Sequence, residues 1–172
     1  IFVEKMADFF RYNVKKGQED ATLGEELEAV DNYIYILNVR FAGDIHFSKD
    51  VDESLENVRV PSMILQPVVE NAVNHGIRDI EWEGKIHLTV TGDADYIRIS
   101  VKDNGKGMTA EQIEGVLTGN KKYKKEEGDS TGIGMNNVIS RLELYYEETG
   151  LVEINSEGEG KGTEVVIYIP VN

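Results

Sequence analysis

Ile97-Arg98-Ile99-Ser100-Val101-Lys102-Asp103-Asn104-Gly105-Lys106-Gly107-Met108 is the stretch from which the rest of this chain is best read. Ile97, Ile99 and Val101 alternate with polar residues, the period of a strand with one buried face. Asp103 stands at the strand end, ahead of a turn holding Gly105 and Gly107. That order puts one carboxylate at a sheet edge beside open backbone. Such a carboxylate accepts a hydrogen bond from an exocyclic amine, and glycines let a flat ring approach closely. Alone, the pattern D-x-G-x-G is weak, because Asn-Gly is also an ordinary turn.

Outward from it, similar alternation predicts strands near 85–91, 151–156 and 163–169, with a strand region opening at Ile45-His46-Phe47. Val60-Pro61 leads into a helix across 62–75 that stops at Gly76, read as a C′ residue. Pro67 falls inside that helix and should bend it. A lid-like stretch, 109–131, contains a short helix near 110–117 and a Lys/Glu-rich loop, and a further helix covers 134–147. Hairpin-connected strands with helices between them make an α+β fold, a two-layer α/β sandwich whose mixed sheet is covered on one face. A helical segment precedes it. Residues 1–16 read as the tail of a helix and 17–21 as a polar linker. Thr22-Leu23-Gly24-Glu25 is a capping box. Leu23, Leu27, Val30, Ile34, Leu37 and Phe41 then follow heptad spacing. The seam implies a helical hairpin or a dimerising bundle, beside the plainer reading of one helix packed on its own domain.

The chain has 172 residues, a formal charge of −14 and no cysteine. The length fits one domain with a helical appendage. The acidity argues against a general nucleic-acid binder, which needs a basic face, but not against one bound MgATP. Disulfide and thiolate chemistry are excluded. No apolar run approaches the ~18 residues of a membrane span. The opening Ile1-Phe2-Val3 suggests a piece of something longer.

Three more segments gather around Asp103. Ile64, Leu65, Val68, Val69, Ala72 and Val73 form a wide apolar stripe, broken by Glu70, Asn71 and Asn74, which lie within one turn of each other. An asparagine oxygen is a neutral, hard ligand suited to a Mg²⁺ that keeps most of its waters and takes phosphate oxygens. Seen in isolation, a polar helix face explains them as well. Ser130 and Thr131 precede Gly132-Ile133-Gly134, which opens a helix, and free amides at a helix N-terminus cradle phosphate. Gly160-Lys161-Gly162-Thr163 turns into the last strand, where Thr163 can meet a base edge. Lys121, Lys122, Lys124 and Lys125 read more simply as a solvated loop than as triphosphate ligands.

Order and spacing carry more than any one segment. An Asn-containing helix, a strand ending in D-x-G-x-G, a lid, a Gly-x-Gly helix and a G-x-G-T strand together resemble the ATP-binding (Bergerat) fold of the superfamily of histidine kinases, gyrase, heat-shock chaperones and MutL. Leu65-Gln66-Pro67-Val68-Val69-Glu70-Asn71-Ala72-Val73-Asn74-His75-Gly76 is similar to the L-Q-P-L-V-E-N-A-x-x-H-G of LytS/YesM-type sensor histidine kinases. Gly132-Ile133-Gly134-Met135-Asn136-Asn137-Val138 with Arg141-Leu142 resembles their G-I-G-L-x-N-V…R-L. Thr22-Leu23-Gly24-Glu25-Glu26-Leu27 with Arg40-Phe41 resembles their second dimerisation helix.

The resemblance implies a role for each matching residue. Asn71 would be the Mg²⁺ ligand. Asp103 would bind the adenine amine, with Gly105, Gly107, Met108 and Thr163 around the base. Gly132, Ile133, Gly134 and Met135 would bind the nucleotide from the phosphate side. Asn74 and His75 would line the pocket, and Glu70 would polarise an attacking imidazole. Residues 109–131 would be the ATP lid. Residues 1–42 would be the C-terminal part of a helical dimerisation and histidine-phosphotransfer region, and 43–172 the catalytic ATP-binding domain. ATP and Mg²⁺ would be the cofactors. A response-regulator receiver domain and a second copy would be partners, in a cytoplasmic domain of a membrane-anchored parent.

One departure matters. The group's phosphoacceptor histidine sits in a P-H-F-type box, and His46, His75 and His87 lack that context. His46 and His87 alternate with apolar neighbours as outer-face strand residues do. The chain is therefore expected to bind ATP without phosphorylating itself. Two other readings stay open, a conformational ATPase and a non-catalytic dimerising scaffold. The first is weakened by Pro67, which stands four residues before Asn71 where such ATPases carry an acid.

Overall fold

The computed structural model describes residues 1–14, 20–40, 45–78, 80–119 and 131–171. Three long strands dominate: β4 (Gly84–Gly92), β5 (Tyr96–Asp103) and β7 (Thr163–Pro170), preceded in sequence by β1 (Asp20–Thr22), β2 (Ile45–Val51) and β3 (Arg59–Pro61), with β6 (Val152–Asn155) before β7. Five of these form one mixed sheet in the order β2-β4-β5-β7-β6, in which β2 runs parallel to β4 and every other pairing is antiparallel.

Alternation fixes which face is buried. Ile86, Leu88 and Val90 of β4, Ile97, Ile99 and Val101 of β5, and Val165, Ile167 and Ile169 of β7 form one apolar face. Over it lie Val68 and Val69 of α3 (Gln66–Asn71), Ala72 and Val73 of the π-helical turn that continues it (Ala72–Ile77), and Met135, Val138 and Leu142 of α5 (Thr131–Tyr146). The other face carries Lys85, His87 and Lys102. This is the two-layer α+β sandwich expected. His46 is exposed and paired with Glu83, and His87 meets the Ser48 hydroxyl at 2.6 Å, both on the outer face as the alternation requires.

The helical segment holds two helices, α1 (Phe2–Val14) and α2 (Leu23–Arg40). They pack together through aromatic rings, Phe9 stacking on Tyr33 and Phe2 lying against Tyr35. The capping box of α2 is present: the Glu25 amide donates to the Thr22 hydroxyl and the Thr22 amide to the Glu25 carboxylate, each at 3.1 Å. A helix α4 (Ala110–Thr118) begins on a second capping box, Thr109 with Gln112, and ends at left-handed Gly119.

Several expectations need correction. Asp20 and Ala21 are not linker but part of β1, which pairs antiparallel with β3. The heptad seam is not an open dimerising face: Leu23, Leu27, Val30 and Ile34 are buried in this chain's own core, while Phe41 lies outside the described residues. The helix after Pro61 starts at Gln66 rather than residue 62, because Met63 adopts φ 60°. Pro67 therefore falls in the first turn, where its missing N–H costs nothing, and does not bend the helix. Gly76 is not a C′ cap. It lies within the π turn, and its reason is contact with Asp103.

Candidate nucleotide site

Asp103 ends β5 with its side chain only 6% exposed. The Gly105 amide donates to its Oδ1 at 2.8 Å, and the Thr163 amide, directly across the β5–β7 ladder, donates to the same carboxyl. Burial pushes this carboxyl up to about 6, against the pull of those two donors. Gly76 lies flat on it: a Cβ there would stand 2.7 Å from the carboxyl carbon. Gly105 in turn lies on Gly76, where a Cβ would stand 1.9 Å from the Gly76 carbonyl oxygen. The same carbonyl accepts from the Lys106 amide at 2.8 Å. Glycine at both positions is what lets the turn and the π-helical turn touch backbone to backbone.

Polar contacts fix the rest of the turn. Ser156 accepts from the Met108 amide at 2.9 Å and donates to the Gly162 carbonyl at 2.7 Å. The Gly160 amide donates to the Lys106 carbonyl at 2.6 Å, and the Gly162 amide to Gly105 at 3.0 Å. The Gly105-to-Met108 turn and the Gly160–Thr163 turn are thus one laced unit. Asn104 accepts from the Lys85 amide at 2.7 Å and donates to the Glu83 carbonyl at 2.8 Å. The Trp82 indole donates to the Asn104 carbonyl at 2.6 Å. Sequence reasoning missed Ser156, Asn104 and Trp82. Asn104 showed only as a turn residue, and nothing periodic marks the other two.

Asn71 is the last residue of α3, and Asn74 and His75 fall in the π turn, a helix irregularity frequent at functional sites. The Asn71 Oδ1 is buried with no hydrogen-bond partner among the described residues. A buried amide oxygen left without a partner is a lone-pair donor suited to a hard cation, and it fits Mg²⁺. Among the described residues no group of three His, Cys, Asp or Glu gathers as an all-protein metal cage. Glu70 accepts from the Gln66 amide at 3.0 Å, and its charge acts on Tyr33 of α2, whose hydroxyl is raised chiefly by burial and then by that charge.

Thr131, Gly132, Ile133 and Gly134 make the first turn of α5. Among the described residues, a Cβ on Gly134 would meet nothing within 4 Å. Met135 is completely buried and supports α5 from beneath. Thr163 is buried across from Asp103, and Met108 is partly buried against the core. Residues 120–130, with Ser130 and the four lysines, lie outside the described residues. A separate open groove of about 610 Å³ between α2 and β2, lined by Asp31, Tyr35, His46 and Phe47 among others, contains none of these residues.

Comparison with known proteins gives the family. The model of the histidine kinase-, DNA gyrase B- and HSP90-like ATPase family matches residues 59–172, and a histidine kinase model matches residues 1–45. The chain belongs to that ATPase family, as the ATP-binding catalytic domain of the sensor histidine kinase type. Sensor histidine kinase YpdA of Escherichia coli (strain K12) is 34% identical over 96% of this chain, and sensor histidine kinase YesM of Bacillus subtilis (strain 168) is 30% identical over 98%. The chain spans 27% of the length of each. Among solved structures, the mycobacterial sensor histidine kinase MprB superposes with a TM-score of 0.64 at 17% identity, covering 88% of this chain and 96% of that one, a likeness of fold.

Proposed function

We propose that this chain binds MgATP and delivers its γ-phosphoryl group to a histidine outside the 172 residues, for onward transfer to a response-regulator receiver domain. One observation carries the site reading: a buried Asp103 carboxyl, held by the Gly105 and Thr163 amides, has its remaining lone pairs to offer an adenine amine. Gly105, Gly107, Met108 and Thr163 surround the base. Asn71 holds the metal, with Asn74 and His75 beside it, and the first turn of α5 from Gly132 to Met135 serves the phosphates. Bound Mg²⁺ would neutralise charge developing on the transferring phosphoryl oxygens. Glu70, next to Asn71, polarises the attacking imidazole. In such a reaction the protein's work is positioning and charge stabilisation.

The matches to residues 1–45 and 59–172 support a division by role, with 1–42 the end of a helical dimerisation region and 43–172 the ATP-binding part. The parent would act as a homodimer and be membrane-anchored, this part being cytoplasmic. Among the described residues no helix is long and apolar enough to cross a membrane. The three histidines lie on β2, in the π turn and on β4, none on α1 or α2, which supports an acceptor elsewhere.

Calorimetric titration with ATP, with and without Mg²⁺, tests the reading. Saturable binding should vanish in Asp103→Ala while the variant still melts cooperatively. Asn71→Ala should lose only the Mg²⁺-dependent share. Equal affinity in Asp103→Ala and wild type would sink the adenine assignment.

A further inference from the structure

Glu26 lies in the first turn of α2 and is 1% exposed. Its partners belong to another element. Oε2 accepts from the Met63 amide at 3.0 Å, and Oε1 accepts from Ile64 at 2.8 Å and from Leu65 at 3.1 Å. Three successive amides converge on one side chain, the arrangement of a backbone anion nest. The nest exists because Met63 takes φ 60°, a left-handed conformation that residues other than glycine adopt only when their surroundings hold them there. From the opposite side Arg141 of α5 donates to the Ser62 carbonyl at 2.7 Å, and its charge also favours the ionised Glu26, whose carboxyl burial otherwise raises.

The gripped segment runs straight into α3. The Leu65 carbonyl accepts from the Val69 amide at 3.0 Å, and Asn71 follows within the same hydrogen-bonded rod. Six helical residues rise only about 9 Å, so a shift at Leu65 is a shift at Asn71. Asp103 is held differently, by Gly105 and Thr163 on the sheet.

We propose that Glu26 is a positioning residue for nucleotide binding: by gripping the Met63, Ile64 and Leu65 amides it seats α3 so that the Asn71 oxygen meets the metal on the phosphates. This rests on the reading of Asn71 as the Mg²⁺ ligand. A residue that merely stabilised the fold would, on removal, weaken all nucleotide binding alike. A residue that seats Asn71 acts on the Mg²⁺-dependent part alone.

The test titrates the whole chain, Glu26→Gln and Asn71→Ala with ATP in Mg²⁺ and with ATP in EDTA. The glutamine preserves volume but turns an NH₂ toward amides that need an acceptor. The ratio of MgATP to metal-free affinity should fall at least about fivefold in Glu26→Gln, with metal-free affinity within about twofold of wild type. Amide hydrogen exchange without nucleotide should quicken from Met63 through Asn71. If Asn71→Ala loses the Mg²⁺ enhancement and Glu26→Gln keeps it, the positioning role is wrong and the Asn71 reading stands. If Asn71→Ala keeps the enhancement, the Asn71 reading falls, and the proposal with it. Faster exchange confined to Met63, Ile64 and Leu65 overturns the proposal whatever the titrations give. Should Glu26→Gln fail to melt cooperatively, the same measurements are made on the double variant Glu26→Gln with Met63→Gly, in which glycine takes the left-handed conformation without a Cβ penalty.

Discussion

The Asp103 carboxyl, at about 6 in the free chain, titrates close to working pH, and the sign of its effect follows from what it must do. An exocyclic amine donates, and the ionised carboxyl accepts it more strongly than the protonated form, in which one oxygen has become a donor. MgATP affinity should fall by up to about tenfold between pH 7.5 and pH 5, as the ionised fraction falls. Titration calorimetry across that range checks it, and a flat profile would mean that the carboxyl does not face the base. Folding runs the other way. A raised carboxyl supports the native state fully below the ordinary carboxylate range and loses that support as pH rises toward 6, at a cost on the order of 3 kcal/mol. On the proposed reading, a bound adenine amine would compensate this poorly solvated charge. At this scale Asp103, Gly105, Asn71 and Thr163 were legible as candidates from their order along the chain, and the fold brings Asp103, Gly105 and Thr163 into contact. Ser156, Trp82 and Glu26 were not, since each acts through contacts between segments distant in sequence, and no local period marks them.

Among elements, the π turn and the Asp103 turn meet with no side chain between them, whereas a Cβ on Gly134 of α5 would meet none of the described residues. Two alanine substitutions separate these situations. Gly105→Ala drives a Cβ into the Gly76 carbonyl and should destabilise the chain by about 1–3 kcal/mol or more, seen as a lowered melting temperature. Gly134→Ala meets nothing, and helix propensity favours it by up to about 1 kcal/mol, so melting should hold or rise. Its methyl group instead occupies phosphate space, so MgATP affinity should drop. Strands β4 to β7 were legible to within a residue or two because period 2 with β-branched residues is a strong local signal, whereas the three-residue β1 and β3 are too short to show a period. The start of α3 was misread because Met63 breaks the backbone by tertiary force, through Glu26, rather than by any turn residue. The π turn was invisible for the same reason: its sequence, Ala72 to Ile77, is compatible with ordinary helix.

For the whole molecule, the two regions divided by role share one core. Leu23, Leu27, Val30 and Ile34 of α2 lie in the same buried cluster as Val68 of α3 and Leu88 of β4. Residues 43–172 expressed alone should therefore lack the cooperative melting transition of the full chain. Leu27→Ala should cost about 2–5 kcal/mol, as for other large-to-small core changes. A sharp transition in the truncated chain, at the wild-type temperature, would show that α2 is only appended. The heptad spacing left a helical hairpin, a partner seam and a helix packed on its own domain all open, because heptad and single-helix burial share the same spacing over so short a run. Only the surrounding sheet and helices decide between them.

One further property comes with the way Trp82 is held. It is the sole tryptophan of the chain, half exposed, with its indole tied to the carbonyl of the residue after Asp103. The chain thus has an intrinsic optical reporter one peptide from the proposed adenine site. Its fluorescence emission should shift as MgATP is added, in step with calorimetric saturation, and Trp82→Phe should leave the titration dark without changing the affinity by more than the loss of one hydrogen bond.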